Sequence, residues 1–319
     1  MYFLKKTYSG LLLWPLLFLI PITASAQEKY RLDTVHLQVD EGYLEGSLLR
    51  PWQEQPLPLA IIIAGSGPTD RDGNNPMMKN DALKMLAEGL AERGIASLRY
   101  DKRGIGGSHG AIKNESELRF DTYAADAAAW VQKMEDSLDF SEIIMIGHSE
   151  GSLLGMLAAG QSPVDKFVSI AGAGQPANLI LRQQLAAQPP HIQDPALVIL
   201  ERLEAGEKVS EISPMLQTIF RPSVQPYLIS WFNYDPQEEI AKLKIPVLIV
   251  QGTTDLQVEV DDAHLLKEAQ AEARLEIIQG MNHIMKPAPE DQQQNLATYY
   301  STDIRIIDQV VEVIADFIK

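Results

Sequence analysis

Apolar and polar residues alternate over residues 31–39 and again over 43–50, with Asp40-Glu41-Gly42 between them. Alternation on both sides of a short turn predicts a β-hairpin. After a loop at 53–58 the pattern changes: residues 59–64 are continuously apolar and run into Gly65-Ser66-Gly67. Residues 81–93 have helical spacing, with Leu83, Met85, Leu86 and Leu90 on one face. Strands are predicted at 95–100, 143–146 and 167–170, and helices at 117–135 and 152–159. Apolar strands that do not alternate are buried on both faces, and their regular exchange with helices implies right-handed βαβ units. The predicted fold class is α/β, with a mostly parallel central sheet, helices on both faces and an N-terminal hairpin.

The rhythm stops over 175–242, which carries helical stretches and scattered prolines but no strong strand. It returns with a strand at 247–251, a helix at 264–271, a strand at 275–278 and a last helix at 304–317. The middle segment reads as a helical cap inserted over the carboxyl edge of the sheet, where open α/β sheets bind ligands. The alternative is a helical layer with no bearing on substrate.

The first 26 residues read as an export signal. Lys5 and Lys6 are followed by an apolar run at 11–20 and by Ala24-Ser25-Ala26, a small-x-small cleavage pattern. Cleavage near Ala26 would release residues 27–319 as one domain, periplasmic or secreted. The apolar run is shorter than the roughly 20 residues a membrane span needs, so no stable membrane anchor is expected. The chain has no cysteine, which excludes disulfides and a lipid carried on cysteine. Its formal charge is -16, and removing Lys5 and Lys6 with the leader leaves -18. Such acidity repels nucleic acid and anionic membrane surfaces. No histidine pair or carboxylate cluster has metal-ligand spacing, so neither metal nor cofactor is expected. The pattern leaves the oligomeric state open.

The chemistry centres on Gly147-His148-Ser149-Glu150-Gly151, which follows a predicted strand and opens a helix. A given serine meets G-x-S-x-G by chance about once in 200, so the strand–turn–helix context carries the assignment. In that context Ser149 is the expected nucleophile. A serine hydroxyl needs a base, and the base needs an orienting acid. Three histidines follow Ser149: His191 in the insertion, His264 inside a helix, and His283 after a strand end. His283 is the expected base. Asp255, after the strand at 247–251, is the expected acid; Asp261 and Asp262 compete but lie where the next helix begins. His148 is read as structural, its side chain pointing away from the elbow. The backbone N–H groups of Glu150 and Ser66 are the candidate oxyanion hole. Asp70, Arg71 and Asp72 read as a braced loop, with substrate contact as the alternative. Residues 101–108 read as a glycine-rich structural turn, since the dinucleotide spacing is absent.

Together these features resemble the α/β-hydrolase superfamily. Within it, Ala64-Gly65-Ser66-Gly67-Pro68-Thr69-Asp70-Arg71-Asp72-Gly73 is similar to a bacterial carboxylesterase subgroup, serine aminopeptidase-like. So is Ile245-Pro246-Val247-Leu248-Ile249-Val250-Gln251-Gly252-Thr253-Thr254-Asp255. The more familiar His-Gly before the oxyanion residue is Ala64-Gly65 here. The resemblance implies a cap between the strands ending near Ile170 and beginning at Val247, and hydrolysis of short-chain acyl esters, a small-molecule substrate. A peptidase with the same triad and a non-catalytic binding protein are the alternatives.

Overall fold

The computed structural model describes residue 2 and residues 29–319, apart from 54–55, 138 and 187. The expected export signal and its Ala26 cleavage site lie outside the described residues. The strands are β1 (Tyr30–Val39), β2 (Gly42–Pro51), β3 (Leu57–Ile63), β4 (Ala96–Tyr100), β5 (Phe140–His148), β6 (Lys166–Ile170), β7 (Val247–Gly252) and β8 (Arg274–Ile278). They form one eight-stranded sheet in the order β1-β2-β4-β3-β5-β6-β7-β8. β1 and β2 form the expected hairpin, and β2 pairs antiparallel with β4. Every other neighbouring pair is parallel.

The helices are α1 (Ala82–Ala91), α2 (Phe120–Glu135), α3 (Glu150–Ala159), α4 (Ala177–Ala186), α5 (Pro190–Glu204), α6 (Gln217–Phe220), α7 (Gln225–Trp231), α8 (Pro236–Lys242), α9 (Val260–Ala269), α10 (Gln292–Ala297) and α11 (Asp308–Ile318). Alternate residues of each central strand serve opposite faces of the sheet. Leu59, Ile61 and Ile63 of β3 join Met145, Phe167 and Ile249 in the core under α2 and α3. Ala60 and Ile62 join Ile144, Ile146, Leu248 and Val250 in the core under α1 and α11. Each such aliphatic side chain contributes about 1.5–3 kcal/mol by leaving water. Demand from both faces explains the unbroken apolar runs.

Helices α4 to α8 occupy the interval between β6 and β7. Leu185, Ile199, Leu200, Leu203, Phe220 and Leu228 give them a core of their own.

The differences from the sequence expectation include two helix starts and one helix that was not expected at all. α2 begins at Phe120 rather than residue 117, because Glu115–Glu117 forms a separate 3-10 turn capped by Asn114. The last helix begins at Asp308 rather than residue 304, because the Ile307 N–H is drawn to the carbonyl of Met285 at 2.8 Å. Helix α10 went unread: its QQQNLA run has no apolar periodicity, and its start is set by Asp291, which accepts from the Gln294 N–H at 2.9 Å.

Candidate active site

Ser149 sits between β5 and α3 with φ 55° and ψ -122°. A positive φ is costly for a residue with a Cβ and persists only where the surroundings enforce it. Here the Ser149 N–H donates to the Ile170 carbonyl and its own carbonyl accepts from Ser152 N–H, both at 2.9 Å. The flanking glycines are steric requirements. A Cβ on Gly147 would lie 2.2 Å from the Gly151 carbonyl oxygen, and one on Gly151 would lie 2.4 Å from that of Ile63.

Asp255 follows β7, and its Oδ2 accepts from His283 Nδ1 at 2.8 Å. Both side chains are almost wholly buried. The other oxygen, Oδ1, accepts from the N–H groups of Gln257 and Val258 at 2.8 and 3.1 Å. Burial pushes the Asp255 carboxyl up, but His283 and these two amides outweigh it and hold it below its ordinary value. The competing carboxylate Asp262 is committed elsewhere. It closes a capping box with Glu259 at the start of α9 and accepts from the Gly174 N–H at 2.9 Å. His191 and His264 are exposed on α5 and α9.

The loop that carries His283 is held by buried amides. Asn282 donates to Asn295 Oδ1 at 3.1 Å and Thr298 Oγ1 at 2.8 Å, and accepts from the Lys286 N–H at 3.0 Å. His148 belongs to the same arrangement. Its Nε2 donates to the His283 carbonyl at 2.7 Å, and the two imidazole centroids are 4.9 Å apart. The expectation that this side chain points away from the elbow is corrected: the His283 carbonyl offers its ring an acceptor, and His148 lines the same cavity as Ser149. Burial lowers the pKa of His148 to about 4, with the neighbouring His283 adding to the effect.

The Ser66 and Glu150 amides lie on separate segments, one after β3 and one at the start of α3. Neither has a protein acceptor among the described residues. The Glu150 amide also stands at a helix N-terminus, where partial positive charge collects.

The Asp70–Asp72 loop is braced. Asp70 Oδ1 accepts from the amides of Asp72 and Asn74, both at 2.9 Å. Arg71 pairs with Glu45 and Asp72 with Arg99. The glycine-rich 101–108 segment is a turn in its backbone, with φ 80° at Gly104 and 48° at Gly106. It is more than a turn in its side chains. Lys102 Nζ donates to the Gly65 carbonyl and to Glu150 Oε1, each at 2.7 Å, in a buried setting that sequence reasoning missed.

Comparison with solved structures matches this architecture almost end to end. Est1E from Butyrivibrio proteoclasticus superposes with a TM-score of 0.58 at 20% identity, covering 89% of this chain and 98% of that one. The α/β hydrolase GrgF from Penicillium sp. sh18 gives 0.61 at 19% identity, covering 91% and 98%. The chain has the α/β-hydrolase fold. Residues 80–208 match the family described as serine aminopeptidase, S33. Esterase EstD of Thermotoga maritima is 26% identical over 287 residues, or 84% of this chain; the aligned region spans 64% of that relative's length.

Two cavities meet at Ser66, Ser149 and Gln257. One, of about 240 Å³, runs under the helical insertion and is lined by Leu153, Ile180, Leu181, Leu228 and Trp231. The other, of about 270 Å³, is lined by His148, His283, Ile284 and Tyr299. Gln257 was not foreseen as a site residue. It lines both cavities, and its amide N–H binds Asp255.

Proposed function

We propose that this α/β-hydrolase is a carboxylic ester hydrolase with Ser149 as nucleophile, His283 as base and Asp255 as the orienting acid. The observation that carries this reading is the buried Asp255–His283 pair lining, through His283, the same cavity as Ser149. In the first half-reaction Ser149 Oγ attacks the ester carbonyl and His283 Nε2 takes its proton. The Ser66 and Glu150 amides hold the oxyanion. His283 returns the proton to the leaving alcohol, and water then releases the acid from the acyl-enzyme by the same route.

The apolar cavity under the helical insertion suits the acyl group, and the cavity beside His283 and Tyr299 suits the alcohol. Short acyl chains are the expected substrates. Similarity to an esterase from Thermotoga maritima supports ester cleavage, and the ferulic acid bound to Est1E adds aromatic acids to the panel. The S33 aminopeptidase description of residues 80–208 favours one second reading, a peptidase with the same triad. We further propose export after cleavage near Ala26, which N-terminal sequencing of the mature protein would test.

The deciding experiment compares wild type with Ser149→Ala on p-nitrophenyl esters of increasing acyl length and on aminoacyl p-nitroanilides. Turnover of esters by wild type alone supports the proposal. Preference for the anilides transfers the site to the peptidase reading, and no turnover of either removes the triad assignment.

A further inference from the structure

The Lys102 ammonium touches both segments that carry the proposed oxyanion donors. It lies 2.7 Å from the Gly65 carbonyl oxygen and 2.7 Å from Glu150 Oε1. The side chains of Lys102 and Glu150 are each only 2% exposed. Lys102 Nζ also stands 5.2 Å from the centroid of the Tyr123 ring, within cation–π range. Asp101 fixes where this lysine starts, because its carboxylate accepts from the N–H groups of Arg71 at 2.7 Å and Gly107 at 2.8 Å.

The Gly65 carbonyl and the Ser66 N–H are the two ends of one planar peptide. In a trans peptide they point in opposite directions. A cation bound at the oxygen therefore sets the direction of the N–H. It also draws electron density from the peptide and strengthens the N–H as a donor. At its second contact the same cation anchors the side chain of Glu150, whose own N–H is the other donor. It neutralises a carboxylate that would otherwise oppose negative charge developing beside Ser149. Oxyanion stabilisation depends on donors fixed before the reaction begins.

We propose that Lys102 is a positioning residue for the oxyanion hole, orienting and polarising the Ser66 amide through the Gly65 carbonyl while pinning Glu150. The proposal rests on the reading of Ser149 as nucleophile with the Ser66 and Glu150 amides as donors. It assigns Lys102 a part in stabilising the transition state that its burial alone would not require.

The test compares wild type, Lys102→Met and the double variant Lys102→Met/Glu150→Gln. The single variant strands a buried carboxylate and can fail to fold; the double variant removes both charges and keeps the question open to measurement. The readouts are thermal unfolding, kcat and KM on p-nitrophenyl butyrate, and inhibition by an alkyl trifluoromethyl ketone, whose serine adduct carries an oxyanion. The expected result is a fall in kcat of about 10- to 100-fold in both variants, with KM within threefold. The inhibition constant should weaken in step with kcat/KM. The double variant should regain thermal stability relative to the single one without regaining kcat. A folded double variant with wild-type kcat would overturn the proposal, because Lys102 would then serve only as counter-ion to Glu150. Wild type inactive on every ester would instead overturn the esterase reading beneath it, and the proposal with it.

Discussion

His148 Nε2 donates to the main-chain carbonyl of His283 over 2.7 Å, so the residue before the proposed nucleophile holds the backbone of the proposed base. The contact spans 135 positions of sequence and ties the elbow to the loop after β8. Its imidazole is buried, and burial lowers its pKa from 6.5 to about 4. Above pH 6.5 it is neutral in both the folded and the unfolded chain. Below that, the unfolded chain binds a proton that the folded one refuses, so stability falls with pH until about pH 4. The loss attributable to this group is on the order of 3 kcal/mol, at about 1.36 kcal/mol per pH unit. His148→Phe should have a shallower decline between pH 6.5 and 4.5 in urea unfolding series. It should also be less stable at pH 7, by about 1–3 kcal/mol, because the His283 carbonyl loses its donor. An unchanged acid slope would remove His148 as the titrating group.

Asp255→Asn separates orientation of the base from folding. The asparagine carbonyl can still accept from the Gln257 and Val258 amides, so the turn after β7 should survive. The charge facing His283 would be lost, and the imidazole would no longer be held in the tautomer that accepts from serine. The expected result is a fall in kcat of about 10⁴-fold, with thermal unfolding near that of wild type. A loss below tenfold in a folded variant would show that Asp255 is not the orienting acid.

The reach of the sequence reading follows from the range of the interactions. The buried strands and the elbow are local patterns, and apolar runs with glycine at fixed offsets display them directly. Asp255 and His283 could be placed because each follows a strand end, which converts chain order into position. Lys102 and His148 had no such marker. Lys102 meets Glu150 48 residues later, and only the placement of β4, β3 and β5 as successive neighbours brings them together. A lysine two residues after the wholly buried strand at 96–100 was the available signal, since a buried ammonium must find partners. The glycines of the following turn drew the reading to its backbone instead. Asp70 to Asp72 show the opposite case. Dense charge on a loop was read as bracing, and the contacts of Arg71 with Glu45 and Asp72 with Arg99 are of that kind.

The cavity under the helical insertion offers a test of substrate placement. Ile180 and Ala177 both line it from α4. If this cavity holds the acyl chain, Ile180→Ala should move the chain-length optimum toward longer esters. Ala177→Leu should move it toward shorter ones. The effect per methylene should be about tenfold in kcat/KM, as is usual for apolar pockets. Measurement across p-nitrophenyl esters from acetate to laurate would check this. An optimum that neither variant moves would place the acyl chain elsewhere.

The last prediction concerns the second glycine of the elbow. Gly151 lies in the first turn of α3, where α3 crosses the end of β3. A methyl group there would stand 2.4 Å from the Ile63 carbonyl oxygen and 2.9 Å from that of Ala64. Both are backbone atoms, and Ile63 belongs to a strand paired on both sides, so the obstruction cannot rotate away. Relief requires α3 to lift from the sheet, which would carry the Glu150 amide and Ser149 with it. In an ordinary helix Gly→Ala gains about 1 kcal/mol from propensity, so a simple helix-propensity effect would raise stability. Overpacking of this kind costs roughly 1–3 kcal/mol and should reverse that sign. Gly151→Ala is therefore expected to lower the urea midpoint and to reduce kcat more than it raises KM. A stabilised, fully active Gly151→Ala protein would mean that α3 does not approach β3 as closely as this contact requires.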